Sequence, residues 1–180
     1  FLYMTMKIRR FKKLVQQHKN LVYNQAYYFT GNKEDAEDIT QEVLLKFWRH
    51  LDTVKRQAVK PWLVKVTRNA CIDQSRKARE YSMSEFEPGE QRQMLNQLSD
   101  VDNTPEQVTI SNDLLRQSIQ RLPEHFRSIV IMREIQDLPY NLIAETMDLP
   151  LNTVKVYLHR GRALLAQYVK AHCEEPALAG

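Results

Sequence analysis

The stretch YNLIAETMDLPLNTVKVYLHRGRALL, residues 140–165, reads as two short helices broken at Asp148-Leu149-Pro150. Proline has no amide proton and disfavours the helical region for the residue before it, so the chain must turn there. Ile143, Ala144 and Met147 recur at helical spacing on the first helix, as do Val154, Leu158 and Leu165 on the second. Packed against each other at a sharp angle, these stripes make a helix-turn-helix. Ala144 is small where the axes approach, Leu149 plugs the gap, and Asn152 or the residue before it caps the second helix. Asp148 takes the left-handed position at the break, which Asp tolerates less well than Gly or Asn. Once Val154 and Leu158 are buried, Asn152, Thr153, Lys155, Val156, Tyr157, His159 and Arg160 face outward or sideways. Short polar groups near a helix N-terminus, followed by cations, suit a helix that enters a DNA groove. An ordinary helical hairpin with a solvated face carries the same pattern, so this stretch alone leaves both readings open.

The remainder of the chain is helical by the same criterion. Glycine is scarce, 4 of 180 residues, and no run alternates β-branched residues, so the expected fold is all-α. Apolar runs such as SIVIM at 128–132 are far too short to span a bilayer. The N-terminal FLYMTMKIRRFKK turns basic too early for a signal peptide, and Met4 or Met6 can be the natural start; a cytoplasmic protein is expected. Cys71 and Cys173 lie far apart without CxxC or CxxH spacing, so both are expected to be reduced thiols and no metal or cofactor site is expected. No paired catalytic carboxylates or Gly-rich phosphate loop can be assembled, which argues against an enzyme.

Charge divides the chain. Residues 1–80 hold 17 Lys+Arg against 8 Asp+Glu, residues 81–112 hold 1 against 6, and residues 113–180 hold 8 against 8. A basic unit, an acidic middle and a neutral unit follow one another. The first suggests a polyanionic partner, with a solvated basic surface as the bland alternative. The middle, SMSEFEPGEQRQMLNQLSDVDNTPEQ at 82–107, lacks a sustained apolar period and reads as a flexible linker with one weak helical turn at 94–98.

Two helical domains flank it, at 7–81 and 108–170, with a frayed tail at 171–180. In the first, Phe11, Leu14, Val15, Leu21, Val22, Ala26 and Phe29 mark one helix, which Gly31 ends. Asn32 and Asp35 form a capping box for the next, where Ala36, Ile39, Val43 and Phe47 are the buried stripe. Asp38, Gln41, Glu42 and Leu45 lie off that stripe. Pro61 suits the first turn of a third helix, in which Leu63, Val66, Ala70 and Asp73 alternate with Lys65, Arg68, Asn69, Arg76, Lys77 and Arg79. The second domain opens at Thr104-Pro105-Glu106-Gln107, a cap followed by Pro at the first helical position. Pro123 starts another helix, LPEHFRSIVIMREI, ahead of the helix-turn-helix.

The order DAEDITQEVLLKFW, PWLVKVTRNACIDQSRK, acidic linker and LPEHFRSIVIMREIQDLPYNLIAETMDLPLNTVKVYLHRGRALL closely resembles the bacterial sigma factors of the extracytoplasmic-function (ECF) class, over about residues 10–170. It resembles the members that keep only region 2 and region 4. The resemblance implies that the chain binds core RNA polymerase, on the β′ clamp coiled coil and the β flap, and directs it to promoter DNA. Asp38, Gln41 and Glu42 match the edge that docks on the coiled coil, with Leu44 and Trp48 as supporting contacts. Stabilisation of a helix N-terminus by Glu34, Asp35, Glu37 and Asp38 is the plainer account of the first turn, but it does not need Gln41 or Glu42. For the −10 element, Lys55, Arg56, Lys60, Arg68, Arg76, Lys77 and Arg79 match a cationic track and Asn69 the neighbourhood of a flipped base. Trp62 is either a stacking platform or, as Trp at a helix start more often is, core. For the −35 element the reader is the second helix of 140–165. There Val156-Tyr157 replaces the Ser-Arg pair common in the family, which implies an altered −35 preference. An anti-sigma factor, often tethered to the inner membrane, is a further implied partner.

The linker also has the reach. Promoter elements about 16 base pairs apart are separated by roughly 55 Å of duplex, and about 25 residues extend to about 80 Å. A stand-alone helix-turn-helix regulator and a sigma-mimicking interaction protein remain the alternatives.

Overall fold

The computed structural model describes residues 1–82 and 111–174, which form seven α-helices and no strand. The linker, with the turn expected at 94–98 and the helix start at Thr104–Gln107, lies outside the described residues, as does the end of the tail. Helices α1 (Leu2–Thr30), α2 (Lys33–His50) and α3 (Val59–Ser82) form the first unit. Helices α4 (Asn112–Gln120), α5 (Glu124–Val130), α6 (Tyr140–Met147) and α7 (Leu151–Glu174) form the second.

Helix α1 begins well before the apolar period at Phe11, because residues 2–10 contain no Gly or Pro to stop it. Its start is exposed, and two contacts tie it down. Lys7 pairs with Asp52 at 2.6 Å, and Arg10 donates to the Val54 carbonyl at 3.1 Å. Gly31 ends the helix in the left-handed region at φ 70°, with its N–H on the Tyr27 carbonyl. Asn32 Oδ1 then accepts from the amides of Glu34 and Asp35, at 2.8 and 3.2 Å. The expected box is only half formed. The Asp35 carboxylate turns away to accept from Gln74 Nε2 of α3 at 3.2 Å, a tertiary contact in place of the local one.

Ala36, Ile39, Val43 and Phe47 are buried as their spacing predicts. Phe47 has no exposed surface, so its truncation to Ala costs about 3–5 kcal/mol. Leu14, Val22, Ala26 and Phe29 of α1 close one side of this core. On α3 the buried line runs through Leu63, Val64, Thr67, Ala70, Cys71 and Ile72. Asp73 is exposed and Val66 half-buried, so the inward face is rotated from the one expected. Buried Gln25 donates to the Val64 carbonyl at 3.1 Å and ties α1 to α3.

In the second unit Ser111 Oγ caps α4 through the Leu114 amide at 3.2 Å. Pro123 precedes α5 as expected, but the helix does not run on regularly. It widens into a π-helical turn at Ile131–Ile135, and Asp137 turns the chain at φ 49°. Ile119, Phe126, Ile129, Met132, Leu138, Ile143, Val154 and Leu158 fill the core. Helix α7 crosses α5 at Gly161, where a Cβ would lie 2.9 Å from Val130 Cγ2 and 3.5 Å from Phe126 Cβ. Glycine inside a helix is normally a cost, and here it permits the close approach. The units touch: α4 and the π turn lie against α1, and α6 against α3.

Candidate nucleic-acid interface

Asp148 ends α6 in the left-handed region, φ 54° and ψ 47°, with its N–H on the carbonyls of Ala144 and Glu145. The Leu149 amide donates to Ala144 at 3.0 Å and closes the turn. Helix α7 then starts at Leu151, so Asn152 is not its cap. Asn152 stands in the first helical turn, exposed, with its amide free to meet a ligand.

Val154 and Leu158 are buried, while Asn152, Lys155, Val156, His159 and Arg160 are exposed and Thr153 half-buried. Tyr157 sits differently from the others. Its ring lies edge-on to Phe126 at 5.5 Å and beside His125 at 5.3 Å, and it is half-buried. That packing leaves Val156, 47% exposed, as the forward member of the Val156-Tyr157 pair. Leu151 at the helix start is also exposed; as an apolar residue beside proline it gave no sequence signal.

A second basic surface follows α3 and the loop before it. Lys55, Arg56, Lys60, Asn69, Arg76, Lys77 and Arg79 are exposed, and Lys65 joins them. Trp62 is half-buried against Phe47 at 5.7 Å and His50 at 5.6 Å, so it supports the core and is not a free stacking platform. Arg68 is half-buried as well. Burial weakens its charged form, and Glu124 of the second unit partly restores it.

The third surface is acidic. Asp38, Gln41, Glu42 and Leu45 are all exposed on one face of α2, at the three- and four-residue spacings that align side chains along a helix. Leu45 is 60% exposed, a large apolar side chain beside carboxylates. Leu44 is half-buried, and Trp48 packs on Phe11 at 5.1 Å with Lys7 over its ring at 5.0 Å. Trp48 thus helps to hold α2 against α1. Among the described residues no group of His, Cys, Asp and Glu is arranged to hold a metal ion. None of their helices is long and apolar enough to cross a membrane.

The described residues thus form two helical units, one with a basic face and the other with a helix-turn-helix whose second helix is open and cationic. The comparisons with known proteins give the chain's family. Residues 14–81 match Sigma-70 region 2, and residues 112–165 match Sigma-70 region 4. The chain is 32% identical over 168 residues to the ECF RNA polymerase sigma factor SigE of Mycolicibacterium smegmatis, covering 92% of this chain and 63% of that protein. It is 29% identical to the ECF sigma factor SigW of Bacillus subtilis, with 89% of each chain covered. The fold is that of the sigma factor RpoE crystallised with the anti-sigma factor NepR from Bartonella quintana, with a TM-score of 0.70 and 22% identity over 90% of this chain and 98% of that one. CnrH in complex with the cytosolic domain of CnrY has the same fold, with a TM-score of 0.65 and 18% identity over 91% of this chain and 89% of that one. The chain belongs to the ECF sigma factors, transcription initiation factors that direct promoter-specific transcription.

Proposed function

We propose that this chain binds core RNA polymerase in the cytoplasm through the α2 edge and reads promoter DNA with both basic surfaces. The observation that carries this reading is the exposed Asp38-Gln41-Glu42-Leu45 face. Carboxylates are repelled by a phosphate backbone, and beside an exposed leucine they suit a protein partner such as the polymerase clamp coiled coil; the β flap would receive the second unit. A stand-alone regulator has no need of that face. Residues 7–81 would act as region 2 and residues 108–170 as region 4.

In this reading α3 and its loop track the −10 strand, with Lys55, Arg56, Lys60, Arg76 and Lys77 on phosphates and Asn69 near a base. Helix α7 enters the major groove at the −35 element, where Lys155 and Arg160 meet phosphates and Val156 meets base edges. The chain supplies recognition and strand separation, and the polymerase supplies the chemistry. An anti-sigma factor that sequesters it is the other proposed partner, supported by the complex of the structural relative RpoE with the anti-sigma factor NepR; a membrane-tethered one is a variant of the same proposal.

Run-off transcription tests the reading. Purified chain with core polymerase and genomic fragments is expected to give promoter-dependent transcripts; none from any fragment overturns it. The triple variant Asp38→Ala, Gln41→Ala, Glu42→Ala is expected to lose polymerase binding in a pull-down while keeping its fold.

A further inference from the structure

Helix α1 ends without a basic residue in its last turn, so its final carbonyls carry the partial negative charge of a helix C-terminus with no cation of its own. The cations come from the other unit. Arg116 of α4 donates through Nη1 to the Gly31 carbonyl at 2.7 Å, and its guanidinium lies over the Tyr27 ring at 5.1 Å. Arg127 of α5 donates through Nη1 to the Phe29 carbonyl at 3.2 Å and lies over the Phe29 ring at 5.0 Å. Its Nη2 holds the carbonyls of Gln120 and Leu122, so the α4–α5 turn is fixed to the same point. Farther along α1, Gln136 of the π turn donates to the Leu21 carbonyl at 2.9 Å. Gln120 covers Gly31 so closely that a Cβ there would overlap its amide.

We propose that Arg116 and Arg127 form a latch that caps α1 from the opposite unit and holds the chain closed, with part of the α3 surface covered. Calling that surface the −10 track rests on the function proposed above; the latch itself does not. Two promoter elements roughly 55 Å apart cannot both be read while the units touch, so opening must precede promoter recognition.

The closed form is built to be released. Its polar ties are guanidinium–carbonyl and guanidinium–ring contacts of partly buried side chains, which salt weakens where they reach solvent. Arg68 Nε, Arg127 Nε, Gln120 Nε2 and Gln136 Oε1 are buried without a protein partner, so parting the units returns these groups to water. Arg68, half-buried in α3 and within the field of Glu124, regains full exposure in the same step.

The test is the distance between the units in the full chain, without polymerase or DNA, so that its outcome is independent of the sigma reading. Fluorophores are placed through Gln17→Cys and Ala166→Cys in a Cys173→Ser background; buried Cys71 stays unlabelled. The latched chain at low salt is expected to show one short distance. Arg116→Glu sets a carboxylate against the α1 carbonyls and leaves the second unit's core untouched. It is expected to raise the open-to-closed ratio at least tenfold, the equivalent of about 1.4 kcal/mol. Gln136→Ala, at the other end of the seam, shifts the ratio in the same direction by less. Widely separated units in the unsubstituted chain at low salt, or unchanged distances in both variants, would overturn the proposal.

Discussion

Helices α3 and α7 are built alike and presented differently. Each has a buried line set in its own unit and cations on the other side. On α7 Asn152, Lys155, Val156, His159 and Arg160 are exposed, Thr153 is half-buried, and Tyr157 packs on Phe126 and His125 of its own unit. On α3 the outward Arg68 meets the second unit, where Glu124 lies within its field. A reading face is therefore set by what packs across it as much as by the helix that carries it. On the proposed function, the α7 face stands open in the free protein and the α3 face is partly withheld.

The largest effect that can break this comparison is on stability. If the units are joined only by a polar seam, Leu158→Ala should cost the second unit about 3 kcal/mol and leave α1–α3 folded. Urea unfolding followed by Trp fluorescence reports the first unit alone, because Trp48 and Trp62 are the only two tryptophans. Concerted loss of that signal would mean that the units fold as one. Gly161→Ala acts at the α5–α7 crossing. Overpacking against Val130 costs about 1–3 kcal/mol and the gain in helix propensity returns about 1 kcal/mol. A net loss of about 1 kcal/mol is expected in calorimetry, with −35 binding weakened because α7 is displaced.

Base reading sharpens the comparison further. Arg160→Ala should weaken binding to every −35 sequence and lower the salt dependence by about one phosphate contact. Val156→Ala should change the ranking of sequences instead, by about 1 kcal/mol where a thymine methyl is lost. Tyr157→Ala is expected to act through the fold, since its ring is packed on Phe126 and His125. Fluorescence anisotropy on a panel of −35 duplexes in complex with polymerase separates these cases; equal losses for Arg160→Ala and Val156→Ala across the panel would remove Val156 from base reading.

What sequence could reveal follows the same division. The helix-turn-helix, the left-handed Asp148, the Ala36-Ile39-Val43-Phe47 stripe and the Gly31–Asn32 junction were legible because each depends on neighbours within one or two turns. Misreadings arose where a distant group intervened. Gln74 draws Asp35 out of its capping box, and the placement of α1 and α2 turns Asp73 outward on α3. Gly161 and the Arg116 and Arg127 contacts are set by segments far away in sequence. In α4 and α5 the two arginines look like ordinary surface cations, and only the approach of α1 gives them carbonyls to hold.

The smallest effect expected is on pH. His125 lies between Phe126 and Tyr157, at 4.1 and 5.3 Å, and burial lowers its pKa while Glu124 opposes the shift. With its folded pKa below the ordinary imidazole value of about 6.5, the unfolded chain binds the proton more readily. Its contribution is thus complete above that value and is lost as pH falls through it toward the lower folded pKa. The residue is only half-buried, so solvent screening keeps the effect under about 1 kcal/mol. His18 on α1 is lowered in the same sense, first by burial and then by Lys60. Acid should therefore weaken both units, and a single transition cannot assign the loss. His125→Gln separates them: it should flatten the pH dependence of the second unit's unfolding as pH falls below about 6.5 and leave the Trp-reported transition of the first unit sloping as before. If the slope of the first transition flattens too, the seam couples the units more tightly than a latch of two arginines allows.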